Sequence, residues 1–248
     1  MMITEFHVYL ALGALAGGFI NGLSGTGTAL FALGFYLVVL DPIKAVAVVA
    51  LMSILAGLQG LWVVRAEIKS QPLRLFRFLI PGLIGVPIGL SLLEKFDEAT
   101  LRISVATLLI VYGVYFGFRA SLPAFSRRTP VLDSVVGLIG GILGGAASVS
   151  GAIPAMWLSI RPWTKAETRA VLQPFNVAVL STTVFLLYFK GAYDQTALTA
   201  LMITMPVGLL AAQIGITVFK RLTDTIFRRL LILLTLLMGV GIMISELF

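Results

Sequence analysis

The sequence predicts an all-α polytopic membrane protein: two inverted repeats, each a broken, re-entrant helix pair followed by three transmembrane helices. Three observations lead there. First, 59% of the 248 residues are hydrophobic and only 12% are charged, with a mean hydropathy of +1.04. Soluble domains are roughly half apolar and about a quarter charged, because their surfaces need polar cover. Second, the apolar residues fall in runs near spanning length, separated by short charged punctuation. Third, the order of elements recurs after a shift of 123 residues.

The same composition excludes other classes. A soluble enzyme and a disordered regulator do not carry this much apolar side chain. A net charge of +7 suggests nucleic acid at first sight, but the basic residues are scattered between apolar runs, as at membrane flanks. Nucleic acid is therefore not an expected partner. There is no cysteine and a single histidine, His7. Disulfides, thiolate metal sites and multi-histidine catalysis are thereby excluded, and neither a metal nor a cofactor is expected. The first charged residue is Glu5, where a cleavable signal would carry Lys or Arg, so the first apolar run is expected to be retained.

The elements follow in order. Phe6–Leu40 is apolar but interrupted by Gly22-Leu23-Ser24-Gly25-Thr26-Gly27-Thr28. It is too long for one upright helix, and its second piece, near Ala29–Leu40, is too short to cross at about 1.5 Å per residue. Spans are then expected at Ala45–Val64, Leu79–Leu93 and Leu101–Phe118. A joint near Ala120–Pro130 divides repeats 1–120 and 121–248, which form one integrated membrane domain. Val131–Ile160 is again interrupted, by Gly144-Gly145-Ala146-Ala147-Ser148-Val149-Ser150-Gly151. Spans follow at Ala170–Phe189, Leu198–Phe219 and Leu230–Ile244. A bilayer core of about 30 Å fits most of these with some tilt. Gly and small hydroxyl residues disfavour a continuous helix at the two interruptions, so each is read as the tip of a hairpin of two part-length helices. Under the 123-residue shift, Gly17, Gly18, Gly22, Ala29, Ala32, Ala47 and Val48 fall on Gly140, Gly141, Gly145, Ala152, Ala155, Ala170 and Val171. With a small insertion, Pro81, Gly89 and Glu98/Arg102 fall near Pro206, Gly215 and Asp224/Arg228.

Charge supports the hairpins. If each broken segment crossed once, the 18 Lys and Arg would divide 10 to 8. If each returns to its starting side, 14 lie on one side: Arg65, Lys69, Arg74, Arg77, Arg119, Arg127, Arg128, Arg161, Lys165, Arg169, Lys220, Arg221, Arg228 and Arg229. The other side keeps 4: Lys44, Lys95, Arg102 and Lys190. The positive-inside rule then puts the first group in the cytoplasm and both termini outside. The expected location is the cell (inner) membrane, multi-pass, with the halves inverted as in many secondary transporters.

Gly18-Phe19-Ile20-Asn21-Gly22-Leu23-Ser24-Gly25-Thr26-Gly27 resembles the glycine-rich signature of the TauE/SafE sulfite-exporter family, and Gly141-Ile142-Leu143-Gly144-Gly145 through Gly151 resembles its second copy. Pro42-Ile43-Lys44-Ala45 and Lys165-Ala166-Glu167-Thr168 are similar too. The resemblance covers essentially the whole chain. It departs from the family's denser glycine run at Gly25-Thr26-Gly27-Thr28-Ala29 and at Ser148-Val149-Ser150-Gly151, which bears on substrate more than on fold. It implies a permease, often an exporter, for small sulfur-containing or carboxylate anions such as sulfite and organosulfonates.

The residues point the same way. The second helix of each broken pair starts with free backbone N–H groups and a partial positive charge, and glycine lets a ligand approach them. Asn21, Ser24, Gly25, Thr26, Gly27 and Thr28 form one candidate cradle; Ser148, Ser150 and Gly151 form the other. Ser53 and Asn176 match under the shift and are added as flanking polar groups. Such a site would hold a small anion without a buried lysine or arginine. Gly13, Gly17, Gly137 and Gly140, at small-xxx-small spacing, are read as packing positions. Gln173 and Gln59 are given packing or flank roles, Pro81 and Pro206 kinks, and Trp62, Trp157 and Trp163 the interface. Glu98/Arg102 and Asp224/Arg228 have ion-pair spacing. Gly22-Leu23-Ser24-Gly25 also looks like an intramembrane serine-protease motif, but no base lies near it, so an enzyme is not expected. Proton relays carry intramembrane acids; here the acids sit at segment edges, Asp133 and Glu246 nearest the core. A carrier of a neutral solute and a membrane scaffold subunit stay open, as does a homodimer.

Overall fold

The computed structural model describes residues 3–92, 98–118 and 125–247. Eleven helices make up the described residues: α1 (Ile3–Ser24), α2 (Thr28–Tyr36), α3 (Pro42–Val63), α4 (Arg65–Ser70), α5 (Pro72–Leu92), α6 (Glu98–Gly117), α7 (Pro130–Ala147), α8 (Ala152–Ser159), α9 (Lys165–Phe189), α10 (Gln195–Arg221) and α11 (Asp224–Leu247). Six of them, α1, α3, α5, α9, α10 and α11, are long and apolar enough to cross a membrane. An all-α polytopic membrane protein is therefore what the chain forms. Large apolar side chains such as Met202, Leu210 and Trp62 face outward, 77%, 69% and 72% exposed, as expected where the solvent is lipid.

Both interruptions fold as hairpins. Gly13 and Gly17 on α1 lie against Tyr36 and Ala32 on α2, so the chain turns back on itself. In the other hairpin, Gly140 packs on Pro154, and the open end is closed by Arg161. This arginine pairs with Asp133 at 2.9 Å, contacts Thr129, and donates to the Arg127 carbonyl at 2.5 Å. The arms are unequal, which corrects the expectation of two part-length helices in each pair. α1 and α7 have 22 and 18 residues, about 33 and 27 Å at ~1.5 Å per residue. Only α2 and α8, with 9 and 8 residues, are short.

Helix ends also differ from expectation. α5, α9, α10 and α11 start before the expected spans and absorb flanking charges, α10 at its end. The α9 start is fixed by a capping box: Thr164 accepts from the Glu167 N–H and Glu167 accepts from the Thr164 N–H. α4, polar and without buried residues, was not anticipated. α5 and α10 run on through Pro81, Pro87 and Pro206. Lys95, Arg119, residues 120–124 of the joint and the side chains of Glu98, Arg102 and Glu246 lie outside the described residues.

The halves interlock. α1 packs on α10, with Gly18 against Gly208 and Gly22 against Ala212; α5 packs on α7, with Gly82 against Gly141 and Val86 against Gly145. A Cβ at Gly18 would lie 2.8 Å from the Gly208 Cα, closer than real Cβ atoms come. Small residues here let backbones touch, which membrane helices use in place of the hydrophobic effect. α3 and α9 cross between the hairpins, and α6 packs on α11.

Lys44, at the start of α3, reaches both Asp41 (3.2 Å) and Asp194 (2.9 Å). Asp194 caps α10 through the Ala197 N–H; that hydrogen bond, and then Lys44, hold its carboxyl below the usual range. The other end carries Arg74–Glu167 at 2.6 Å and Lys165, whose backbone N–H donates to Asp224. Arg228 donates to the Ser159 carbonyl. Both members of that expected surface pair thus have tertiary partners.

Candidate functional site

The first hairpin tip turns because of two glycines. Gly25 and Gly27 have φ of +87° and +91°, a region that costs an L-residue roughly 1–2 kcal/mol. Ser24 Oγ is within donating distance of the Ile20 and Thr26 carbonyls, 2.9 and 2.8 Å. α2 then starts at Thr28 with no side-chain cap. The second tip uses a serine where glycine is usual. Ser148 sits at φ 55°, closing α7 with its N–H on Gly144 and the Val149 N–H on Leu143. A non-glycine residue held in this region is strained, and such strain gathers at functional sites. α8 follows from Gly151, again without a side-chain cap.

The two tips meet. A Cβ on Gly151 would lie 2.6 Å from Thr26 Cβ. Around this contact is a small cleft, with room for about one water molecule, lined by Thr26, Gly27, Thr28, Ser53, Ser148, Gly151 and Asn176 together with Ala29, Val149, Leu180 and Met238. The start of α2 and the cap position of α8 thus line one space. The orphan N–H groups of a helix start need partners, and Pro154 leaves Gly151, Ala152 and Ile153 to supply those of α8. Ser148 Oγ is buried with no hydrogen-bond partner. Asn176 Oδ1 accepts from Ser150 Oγ at 2.5 Å, which leaves the Asn176 amide hydrogens as donors. The cleft lining sets hydroxyl, amide and backbone donors beside four apolar residues and includes no carboxylate, a chemistry suited to a small oxyanion.

The family model for sulfite exporter TauE/SafE matches residues 9–242. The chain belongs to the TauE/SafE family. TauE/SafE proteins are membrane permeases rather than enzymes, in keeping with the six spanning-length helices of this one. Neither a curated protein nor a solved structure matches this TauE/SafE chain.

Seven of the eleven residues singled out in the sequence line the cleft of this TauE/SafE protein. The other four stand behind it. Asn21 is fully buried in bonds to Thr28 Oγ1 (2.8 Å), the Ser53 carbonyl (3.4 Å) and Gln173 Nε2 (3.3 Å). Ser24 bonds within its own turn, Gly25 faces Gln173 and Arg169, and Ser150 holds Asn176. Trp157, expected at the interface, donates to Asp133 at 2.8 Å and stacks on Arg161. Asp133 is thereby occupied as a hairpin clasp. Among the described residues no His/Cys/Asp/Glu group could hold a metal ion.

One expectation is overturned. Arg169, placed among the cytoplasmic flank residues, is fully buried, so the spans do contain a cation. The helix begins at Lys165, which puts Arg169 one turn inside. Gln173, read as a packing or flank residue, is fully buried and takes the packing role, donating to Asn21. A signal was available: 169, 173 and 176 share one face of α9, an unusual polar stripe in an apolar helix.

Proposed function

We propose that the protein is an alternating-access permease, working as an exporter, for small sulfur-containing or carboxylate anions, sulfite being the first to try. The observation that carries this reading is the contact of Thr26 with Gly151, which brings two uncapped helix starts and the unpartnered Ser148 hydroxyl to one cleft. Helix starts attract anions through their N–H groups and partial charge. Partial charges hold an anion less tightly than a full cation, which suits release.

Inversion of the halves is part of the proposal. It is supported by the hairpins opening at different ends: α1 and α2 near Asp41, Lys44 and Asp194, α7 and α8 near Arg161 and the Lys165–Asp224 contact. With the basic end in the cytoplasm, both termini lie outside. No described acid faces the cleft, so the anion moves as a uniport. A potential of 100 mV, negative inside, is worth about 2.3 kcal/mol per charge, roughly a fiftyfold ratio for a monovalent anion at 1.4 kcal/mol per decade.

The test is sulfite efflux from proteoliposomes, beside a thermal-shift screen of small anions on purified protein, since a ligand of the folded state raises its apparent stability. Sulfite-dependent stabilisation with flux is the expected result. Flux of neutral solutes alone, or purification with a stoichiometric partner and no flux, overturns the reading.

A further inference from the structure

Arg169 has no exposed surface and touches three other helices. Nη1 donates to the Gly22 carbonyl on α1 at 2.7 Å, and Nε donates to Gln173 Oε1 on the next turn of α9 at 3.1 Å. The guanidinium lies 4.4 Å from the Phe219 ring centroid on α10. On α3 the neighbour is Gly60, where a Cβ would sit 2.6 Å from Nη2. Nη2 itself has no hydrogen-bond partner, and among the described residues no carboxylate pairs with Arg169. The other buried arginine, Arg161, is neutralised by Asp133. A buried charge is costly unless paired, and within membrane spans ionisable groups mark ion paths.

The place of this cation is informative. Asn176, on the cleft wall, is seven residues further along α9, about 10 Å at ~1.5 Å per residue. Between them runs a polar chain: Gln173 donates to Asn21, and Asn21 donates to Thr28, which lines the cleft. Toward the other end, Lys165 lies four residues before Arg169 on the same face. The 123-residue shift places Val46 and Ala50 opposite Arg169 and Gln173, so the equivalent path in the other half is apolar. The polar path exists on one side of the cleft, the side with most Lys and Arg.

We propose that Arg169 is a transit station for the oxyanion between the basic end of the molecule and the cleft. Nη1 and Nε anchor the guanidinium, and Nη2 presents its two N–H donors to the anion. The absence of a side chain at Gly60 gives the guanidinium its room beside α3. The anion supplies the countercharge that the protein does not, so the station favours charged over neutral ligands. This inference rests on the anion-permease reading.

The test compares sulfite efflux in proteoliposomes for wild type, Arg169→Lys and Arg169→Gln, with insertion measured for each. Arg169→Gln is expected to raise the KM for sulfite at least tenfold, with Arg169→Lys intermediate because it restores the charge without the forked geometry. A purely structural tether to Gly22 would lower the amount inserted or the maximal rate and leave KM unchanged; that result overturns the station. If the variants do not insert, a structure of the wild type with selenite decides. Density within hydrogen-bond reach of Nη2 supports the station, and density confined to the cleft or elsewhere overturns it. A wild type without sulfite flux sinks the permease reading; wild-type flux with unchanged KM in Arg169→Gln sinks the station alone.

Discussion

Gly151→Ala tests whether the contact between the hairpin tips matters, because its effect is purely steric. Gly151 has φ −85° and ψ −9°, so alanine adopts its backbone without strain. The new Cβ would fall 2.6 Å from Thr26 Cβ and 2.9 Å from Thr26 Cγ2. Neither tip yields easily, since Thr26 stands between two glycines held at positive φ. Overpacking of this kind costs about 1–3 kcal/mol. If transport needs the tips together, sulfite efflux falls by roughly 5- to 150-fold, at 1.4 kcal/mol per decade. Thr26→Gly removes the atoms that the new Cβ meets. The double variant is therefore expected to recover most of the loss, and the cycle gives a coupling free energy of ~1 kcal/mol or more. Efflux is measured at matched insertion for all four proteins. Additive losses, or unchanged efflux in Gly151→Ala, would refute the argument.

Five further outcomes are expected. Gly27→Val leaves the protein inserted but abolishes sulfite flux, since φ is +91° and the branched side chain crowds the α2 start; normal flux by tracer assay removes this glycine from the mechanism. Asp133→Ala strands a buried Arg161 and destabilises by about 3–5 kcal/mol, read as lost folded yield; in the wild type, efflux at equal pH follows a valinomycin-set potential, and efflux driven by a pH gradient alone refutes uniport. The Asp194 carboxyl is held low by the Ala197 N–H and then Lys44, so its contribution is present above the ordinary value of about 3.9 and is lost as pH falls through its depressed value; thermal melts of Asp194→Asn should lose that acid dependence, and identical profiles contradict the cap. Reporter fusions at either terminus should report an extracytoplasmic location, and a cytoplasmic signal overturns the charge-based orientation.

Much of the fold was legible because the signals are coarse. Gly25-Thr26-Gly27-Thr28 and Ser148-Val149-Ser150-Gly151 break two apolar runs, and the structure puts both hairpin tips there. Seven cleft residues were visible for the same reason: polar atoms and glycines in apolar segments have few other uses. Helix starts were not legible from hydropathy. Hydropathy registers where apolar residues begin, whereas the backbone starts at a cap, and Thr164 with Glu167 starts α9 five residues before Ala170. That offset concealed Arg169, which reads as a flank residue in sequence and is interior once the cap is known. The hydrogen bonds of Asn21 and Gln173 were not legible because their partners lie on other helices, which periodicity does not report.

The interlocking of the halves also bears on how the chain is made. Gly18 on α1 waits for Gly208 on α10, a partner 190 residues later in the chain. At about 5–20 residues per second of synthesis, the glycine face of α1 spends roughly 10–40 s without its packing partner. α5 likewise waits for α7. The first half therefore enters the bilayer with two notched, unfilled helix surfaces. Insertion and final assembly are separate events in time, and the interval between them is when a chaperone or a quality-control protease has its opportunity.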